Sequence, residues 1–397
     1  MLNEKTKQLV KSTVPALMQH GLDITASFYK NMFNDHPDLL NLFNQSNQKQ
    51  GRQQAALAQA VLAAAANIDR LEAILPAVEK IAHKHRSLGV KKEHYPIVGD
   101  YLLKAMKEIL QEKATDEILS AWEEAYGVIA GVFIQAEEEL YASAENQNGG
   151  WSGFKAFRVI KKVKESSVIT SFYLAPADDR AIPHFLPGQY VTIRVKPPGE
   201  EYWHNRQYSL SNAPGTGCLR ISVKKEENGT VSAYLHEHIH AGSLLDASPP
   251  AGDFVLIEQT VQPATFISGG VGTTPFLSMM HRLAETQPEK PVQYIHAAQN
   301  EEVHAFKDEI NGILQRMPNS SAAIFYENRQ GRISAERLHR TLETTAGDFY
   351  VCGPIPFMEV MIAALHEMGI PDNRIHYEFF GPAASIKRGQ SPTLLES

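Results

Sequence analysis

The sequence predicts three successive domains: an all-α domain, an antiparallel β-barrel, and an α/β domain with a parallel sheet. Apolar residues recur at helical spacing through the first third of the chain and at strand spacing through the middle. In the last third, strand and helix patterns alternate, which is typical of a parallel sheet. With 397 residues available, we place the domains at 1–147, 151–260 and 261–382, followed by a tail over 383–397.

Composition and charge exclude several classes of protein. The formal net charge is −7 and the pI about 6.2, so we expect no attraction to nucleic acid. No apolar run reaches the roughly 18 residues that a membrane span requires, so we expect neither a membrane segment nor a signal peptide. Cys218 and Cys352 are too few for a disulfide framework, a thiolate zinc site or an iron–sulfur cluster. We expect a monomer in the reducing cytoplasm.

The first domain carries apolar residues at helical spacing from Lys5 to Ala144. A predicted helix over 55–66 consists mainly of small residues, which allow a helix to approach a bulky group. A helical segment over 76–85 and a long helix over 117–141 show the same period. Several helices in a domain of this length fit a globin.

The residue types that a haem pocket needs occur in this domain. Haem requires a neutral imidazole for the iron, a flat aromatic side chain against the porphyrin, and a polar donor over the bound gas. The chain has sixteen histidines, so no single one is decisive, but Phe43 and Tyr29 lie upstream of His85. Gln53 and Leu57 share one face of a helix at a spacing of four residues.

With these residues in this order, the first domain resembles the globin domain of the flavohaemoglobins. The resemblance implies His85 as the proximal ligand of a haem b iron and Phe43 as the ring packed on the haem. It implies Tyr29 as the hydroxyl that donates a hydrogen bond to bound oxygen. Gln53 and Leu57 would line the distal pocket.

The resemblance also matches Tyr95 and Glu137 to a network behind the proximal histidine. A carboxylate that accepts the second ring N–H of a ligating histidine makes the imidazole a stronger electron donor. Glu137, Glu138 and Glu139 are consecutive, each turned about 100° from the last on a helix, so only one can face inward. The spacing leaves the choice open, and the resemblance selects Glu137. His83, two positions before the proximal ligand, is expected on the surface.

A linker over 145–153, rich in asparagine and glycine, precedes the change from helical to strand spacing. Several short strands with Pro/Gly turns and one helix then predict an antiparallel barrel. Three motifs follow in order: Pro-Gly-Gln-Tyr at 187–190, Arg-Gln-Tyr-Ser at 206–209, and Gly-Thr-Val-Ser at 229–232. This order resembles the flavin domain of the ferredoxin–NADP reductase family.

The second motif suits a flat ligand with a phosphate tail. In an extended segment Arg206 and Tyr208 share one face, and Gln207 and Ser209 share the other. The Tyr208 ring suits a flat ligand, while the Arg206 guanidinium suits a phosphate. The resemblance implies that these four residues and Tyr190 line FAD, with backbone N–H groups of the third motif near its pyrophosphate.

In the third domain, a strand over 264–268, a glycine loop and a helix from Phe276 form the usual arrangement for a phosphate at a helix N-terminus. Pro275 stands where a dinucleotide-binding fingerprint would have its third glycine, so the loop is not that fingerprint. Further strands at 291–298, 348–354 and 375–378, with a helix at 356–368, predict a parallel sheet. By resemblance, the loop residues that hold a nicotinamide nucleotide are Gly270, Val271, Gly272, Thr273, Thr274 and Pro275.

By resemblance, Cys352-Gly353-Pro354 completes this site, with Cys352 as a packed wall and not a nucleophile. No lysine or arginine occurs in 296–302, and two glutamates do, so we expect NADH in preference to NADPH. The resemblance places Phe380 against the flavin, although residue 379 departs from the small thiol that the family would have there. The other residues assigned to the cofactor at this end are Phe379, Gly381 and Pro382.

The resemblance, which covers residues 1–382, implies a nitric oxide dioxygenase that converts NO and O2 to nitrate with electrons from NAD(P)H. Electrons would pass through FAD to the haem. Lys84 and Glu378 would lie near the gap between flavin and haem and tune the transfer, although a role for both as plain surface charges is equally open. Tyr29, Tyr95 and Glu137 are the catalytic residues it implies. Two alternatives are a reductase that passes electrons to peroxide, quinone or free oxygen, and a gas sensor. A sensor would carry an output domain, whereas this chain carries a reductase.

Overall fold

A computed structural model of the protein describes residues 2–43, 48 and 51–380. The first domain is helical throughout its described part, and the helices predicted at 55–66, 76–85 and 117–141 are present and extend beyond those bounds. Its core is built around Trp122 and Phe28, both almost fully buried. The α-helices here are α1 (Glu4–Ser12), α2 (Val14–Asp35), α3 (Arg52–Ala66), α4 (Leu75–Leu88), α5 (His94–Leu110) and α6 (Asp116–Glu145).

Helix α4 has well-defined ends, which matters because it carries the candidate iron ligand. Pro76 lies in its first turn, where a missing backbone N–H costs nothing. The helix stops at Gly89, whose φ of 83° lies in the left-handed region that favours glycine. The N–H of Val90 then donates to the carbonyl of His85 at 3.0 Å, so the last turn is closed by backbone hydrogen bonds.

The second domain is an antiparallel barrel, as predicted. Its elements are β1 (Lys155–Lys164), β2 (Ile169–Pro176), β3 (Tyr190–Val195), β4 (His204–Ser209), β5 (Leu219–Lys224), α7 (Thr230–His238) and β6 (Leu244–Ala247). The sheet has the order β4-β3-β6-β1-β2-β5. A bridge between Leu210 and Ile221 brings the two edge strands together, and Ser211 N–H donates to the carbonyl of Arg220 at 2.8 Å.

The third domain has a five-stranded parallel sheet in the order β11-β10-β7-β8-β9, which confirms the predicted α/β class. The edge strand β9 lies outside the predicted strands, because its residues are evenly half-buried and show no period of two. The elements are β7 (Ala264–Gly269), α8 (Thr274–Thr286), β8 (Val292–Ala298), α9 (Lys307–Leu314), β9 (Ser320–Tyr326), α10 (Glu327–Gln330), α11 (Ala335–Thr341), β10 (Asp348–Cys352), α12 (Ile355–Glu367) and β11 (Ile375–Glu378).

A buried ion pair joins the barrel to the third domain. The Arg220 guanidinium, 5% exposed, donates to both carboxylate oxygens of Glu309, at 2.9 and 2.8 Å. The His281 ring adds a contact of 2.6 Å to the same carboxylate. This bidentate geometry fixes the orientation of the two domains as well as their contact.

None of the described helices is long and apolar enough to cross a membrane.

Candidate functional site

The His85 ring on α4 is held from behind by two side chains. Its Nδ1 lies 2.7 Å from Oε1 of Glu137 on α6 and 3.3 Å from the hydroxyl of Tyr95 on α5. The Tyr95 hydroxyl donates to the same Glu137 oxygen at 2.5 Å. Because a carboxylate only accepts, Nδ1 carries the proton, and Nε2 is the nitrogen left to bind a metal.

The structure distinguishes the three consecutive glutamates on α6. Glu137 is 2% exposed and faces the histidine. Glu138 is an exposed partner of Lys92 at 3.5 Å, and Glu139 accepts a hydrogen bond from Gln135. The inward position that spacing left open therefore belongs to Glu137, the residue chosen by resemblance.

The position of Tyr95 depends on a close approach between α5 and α6. The Tyr126 hydroxyl donates to the Tyr95 carbonyl at 2.7 Å. The Tyr126 ring packs directly on Gly99, where a Cβ atom would lie only 2.6 Å from Cε1 of that ring. Burial raises the pKa of Tyr95, and the hydrogen bond to Glu137 adds to the rise, so the hydroxyl stays protonated as a donor.

Aromatic rings from α2 and the following turn form a second wall. Tyr29 is stacked on Phe33, with centroids 5.6 Å apart, and meets Phe43 edge-on at 5.7 Å. Burial raises the pKa of Tyr29, which keeps its phenol neutral and able to donate a hydrogen bond. On α3, Leu57 packs against the same core, and Gln53 Oε1 is buried with no hydrogen-bond partner among the described residues.

These two walls fit a haem. The chain offers an oriented imidazole nitrogen on α4, and a phenol with flanking rings on α2. A buried amide oxygen without a partner, such as Gln53 Oε1, is costly unless a ligand or water completes it. His85, Tyr29 and Gln53 are therefore the residues that would face the two sides of the group.

The proposed flavin residues lie on two paired strands of the barrel. In the β3–β4 register, Tyr190 is opposite Ser209 and Thr192 is opposite Gln207. Arg206 donates to the carbonyl of Asn205 at 2.8 Å, and burial lowers the pKa of its guanidinium. That partly buried cation beside a half-buried Tyr208 ring suits a ligand with a phosphate and a flat ring. The third motif lies at the start of α7, which begins at Thr230.

The glycine loop and the end of β10 form one unit in the third domain. A Cβ atom on Gly272 would lie 2.3 Å from the carbonyl oxygen of Cys352, and one on Gly353 would lie 3.0 Å from the backbone nitrogen of Gly269. Only glycine permits this contact. The loop follows β7 and the turn follows β10, which is the point where the strand order reverses and where such sheets bind nucleotides.

The carboxyl end of β11 contains the remaining predicted residues. Phe379 is buried, packs edge-on against Tyr377 and belongs to the domain core, whereas Phe380 is 50% exposed and available for contact. Cys352 is fully buried, and burial raises the pKa of its thiol, as a packing role requires. Gly381 and Pro382, also assigned to the cofactor, lie outside the described residues.

Helix α4 also carries side chains that touch the reductase. Burial lowers the pKa of Lys84 and raises that of Glu378, and each charge partly opposes the shift of the other. The expectation that His83 lies on the surface is wrong: it is half-buried, and its Nδ1 accepts from Gly252 N–H at 3.2 Å. Arg86 and Ser87, which the sequence did not single out, also contact the barrel. Helical period alone could not reveal a face covered by another domain.

Three family models match successive parts of the chain: a globin over residues 26–133, an oxidoreductase FAD-binding domain over 156–256, and an oxidoreductase NAD-binding domain over 266–362. A flavohemoprotein from Bacillus thuringiensis subsp. konkukian is 50% identical over 404 residues, covering 98% of this chain and 100% of that protein. The chain belongs to the flavohaemoprotein family. The resemblance to flavohaemoglobins is thereby confirmed.

Solved structures agree with membership of the flavohaemoproteins. The crystal structure of the flavohemoglobin from Malassezia yamatoensis, with bound FAD and heme, matches 96% of this chain and 100% of its own, with a TM-score of 0.85 and 28% identity. The FAD/NAD-binding domain of the nitric oxide dioxygenase from Vibrio cholerae O1 biovar El Tor matches 56% of this chain and 97% of its own, with a TM-score of 0.54 and 37% identity.

As a flavohaemoprotein, this chain is an oxidoreductase that uses NAD(P)H. Haem belongs to its globin domain, FAD to its barrel, and the nicotinamide nucleotide to its α/β domain. Oxygen and NAD(P)H are its ligands.

Replacing Glu137 by glutamine should raise the haem midpoint potential, because a neutral amide accepts the Nδ1 hydrogen bond more weakly than a carboxylate. We expect a shift of about 1 kcal/mol, or roughly 40 mV for one electron. Spectroelectrochemical titration measures the potential. The iron–histidine stretching frequency should fall as the potential rises, because both report a weaker electron donation by the imidazole. Glu138→Gln, at an exposed neighbour, is the matched control. Equal potentials for Glu137→Gln and the unaltered protein would remove Glu137 from the proximal network.

Proposed function

We propose that this flavohaemoprotein is a nitric oxide dioxygenase that converts NO and O2 to nitrate. The observation that carries the proposal is a haem site built for electron donation on one side and hydrogen bonding on the other, in one chain with its reductase. The Vibrio cholerae protein, whose reductase module this chain matches, is named for that activity. We further propose that the chain works as a cytoplasmic monomer and that its role is removal of nitric oxide.

When bound, the haem supplies oxygen binding, and FAD divides the electron pair of a hydride into single electrons. Glu137 holds the Nδ1 proton of His85 and directs electron density toward the ligating nitrogen. The neutral Tyr29 phenol donates a hydrogen bond on the distal side, and Phe43 beside it restricts water. Conversion of one NO and one O2 to nitrate requires one electron, so one NAD(P)H supports two conversions.

The reductase residues have separate tasks in this scheme. Arg206 and Tyr208 would bind the flavin, and the half-exposed Phe380 would cover its ring. The glycine loop, packed on the end of β10, receives the pyrophosphate of the nucleotide at the start of α8. Lys84 and Glu378 adjust the local charge between flavin and haem, because neither is fully screened by water.

The purified holoprotein supplied with NADH should consume nitric oxide rapidly in air and slowly without oxygen, with nitrate as the product. An NO electrode measures the nitric oxide consumed, and a nitrate assay measures the nitrate formed. Aerobic loss of NO no faster than in a protein-free solution would reject the proposal. Accumulation of peroxide at the same rate with and without NO would instead favour a reductase that uses free oxygen.

Tyr29→Phe should release oxygen about ten- to a hundredfold faster, since a lost hydrogen bond to a charged acceptor costs roughly 1.5–3 kcal/mol. Stopped-flow measurement of oxygen release from the reduced protein provides the rate. Tyr101→Phe is the matched control, because its hydroxyl bonds to Asp35 on the globin surface. An unchanged rate in Tyr29→Phe would exclude Tyr29 from the distal hydrogen bond.

The choice between NADH and NADPH depends on the segment after β8, where such domains contact the ribose 2′ position. Although 296–302 contains no lysine or arginine, the structure brings two bases to Glu301 from elsewhere. Lys307 Nζ lies 2.9 Å from one of its oxygens and Arg329 Nη2 lies 2.7 Å from the other. Because the carboxylate engages both cations and would repel a 2′-phosphate, we retain the proposal that NADH is preferred.

Glu301→Gln should raise kcat/KM for NADPH relative to NADH a few-fold, because a neutral amide neither repels a 2′-phosphate nor engages the two bases as strongly as the carboxylate does. Lys307 and Arg329 would then be available to a phosphate. Steady-state reduction of ferricyanide isolates the reductase and provides both constants. Glu336→Gln, which breaks an exposed pair with Arg340 in the same domain, should leave the ratio unchanged. If both variants give the native ratio, Glu301 does not control the preference.

A further inference from the structure

The last turn of α4 brings a buried hydroxyl to the boundary between globin and barrel. Ser87, two residues after the candidate iron ligand, is fully buried. Its Oγ accepts hydrogen bonds from Thr192 Oγ1 at 3.0 Å and from Gln207 Nε2 at 3.2 Å. The same hydroxyl donates to the carbonyl of Lys84 at 2.8 Å. One side chain thus hydrogen-bonds to both domains.

The two barrel residues that reach Ser87 come from one cross-strand pair. Thr192 on β3 stands opposite Gln207 on β4, beside the residues proposed to line the flavin. The flavin-facing strands therefore converge on this hydroxyl.

On the globin side, Ser87 leads directly to the proximal ligand. The carbonyl of Lys84 belongs to the peptide group that joins Lys84 to His85. A continuous connection therefore runs from Gln207 to Ser87, to the Lys84 carbonyl, and through one peptide bond to His85. It crosses the domain boundary once, at the Ser87 hydroxyl.

Neighbouring contacts hold the helix on the barrel without joining this connection. The Arg86 guanidinium, 3% exposed, donates to the carbonyl of Pro249 at 3.0 Å and to that of Pro250. His83 accepts from Gly252 on the same loop region. These contacts fix where α4 lies, and Ser87 contacts the strands proposed to bind the flavin.

We propose that Ser87 is a positioning residue that sets the rate of electron transfer from the flavin to the haem. Electrons move between buried groups more readily through covalent and hydrogen-bonded contacts than across gaps. Loss of the Ser87 hydroxyl opens a gap where this connection crosses the domain boundary and leaves Thr192 Oγ1 and Gln207 Nε2 without that acceptor. The inference rests on the flavin-to-haem transfer that the proposed function requires, and not on nitric oxide as the substrate.

The test is anaerobic reduction of the Ser87→Ala holoprotein by NADH, followed by stopped-flow absorbance. Flavin bleaching should keep its native rate, while haem reduction slows severalfold, because a gap replaces the hydrogen-bonded contact between the two domains. Redox titration should give unchanged midpoint potentials for the flavin and the haem. The slower transfer would then come from the lost contact and not from a smaller driving force. Thr192→Val, which removes one donor and leaves Ser87 in place, should slow haem reduction less.

Asn41→Ala is the matched control for general loosening of the domains. Asn41 makes a separate polar contact with the barrel, in which its Oδ1 accepts from Trp203 N–H at 2.9 Å. Its backbone carbonyl, which the substitution leaves in place, accepts from Asn205 Nδ2 at 2.8 Å. Haem reduction at the native rate in this variant, with slowing in the other two, supports the proposal. Any one of three results would overturn it. These are native rates in both Ser87→Ala and Thr192→Val, equal slowing in Asn41→Ala, and a shifted haem potential that explains the slowing. This experiment contains no nitric oxide. A negative result would therefore contradict the role of Ser87 without contradicting the dioxygenase activity, which the nitric oxide assay tests.

Discussion

The hydrogen bond between His85 Nδ1 and Glu137, 2.7 Å long, is the contact on which the haem site depends. It ties α4 to α6, fixes the tautomer of the ring, and leaves Nε2 as the nitrogen available to bind a metal. Tyr95 shares the same carboxylate oxygen, so α5 is tied to the same point. Three helices thus meet at one carboxylate, and the electron-donating power of the imidazole follows from how well that carboxylate is held.

A second constraint is the burial of charge where the domains meet. Arg86, Lys84 and Glu378 are all partly or wholly withdrawn from water, and burial shifts the pKa of each toward its neutral form. Arg86 is balanced by backbone carbonyls of the barrel, and the other two groups partly balance each other. Such contacts contribute little stability but depend strongly on geometry, so they favour one docked arrangement over others.

The sequence predicts much of this architecture. Helical period, strand alternation and the order of three short motifs predict the fold class, because each depends on local chain geometry. Spacing alone does not predict which of three adjacent glutamates faces inward, since the rotation of the helix is set by packing such as that of Tyr126 on Gly99. His83, Ser87 and the bases around Glu301 depend on contacts between distant segments, which no local pattern records.

The left-handed residue Gly89 ends α4 at the same turn that holds the candidate iron ligand and contacts the barrel. His85 and Ser87 therefore move as one rigid piece, since the turn between them is closed by backbone hydrogen bonds. Ligand binding and domain docking at such a turn are thermodynamically linked. If filling the distal pocket changes the free energy of docking, docking changes the affinity of the pocket by the same factor. The gas affinity of an isolated globin domain would then differ from that of the whole chain by this coupling free energy.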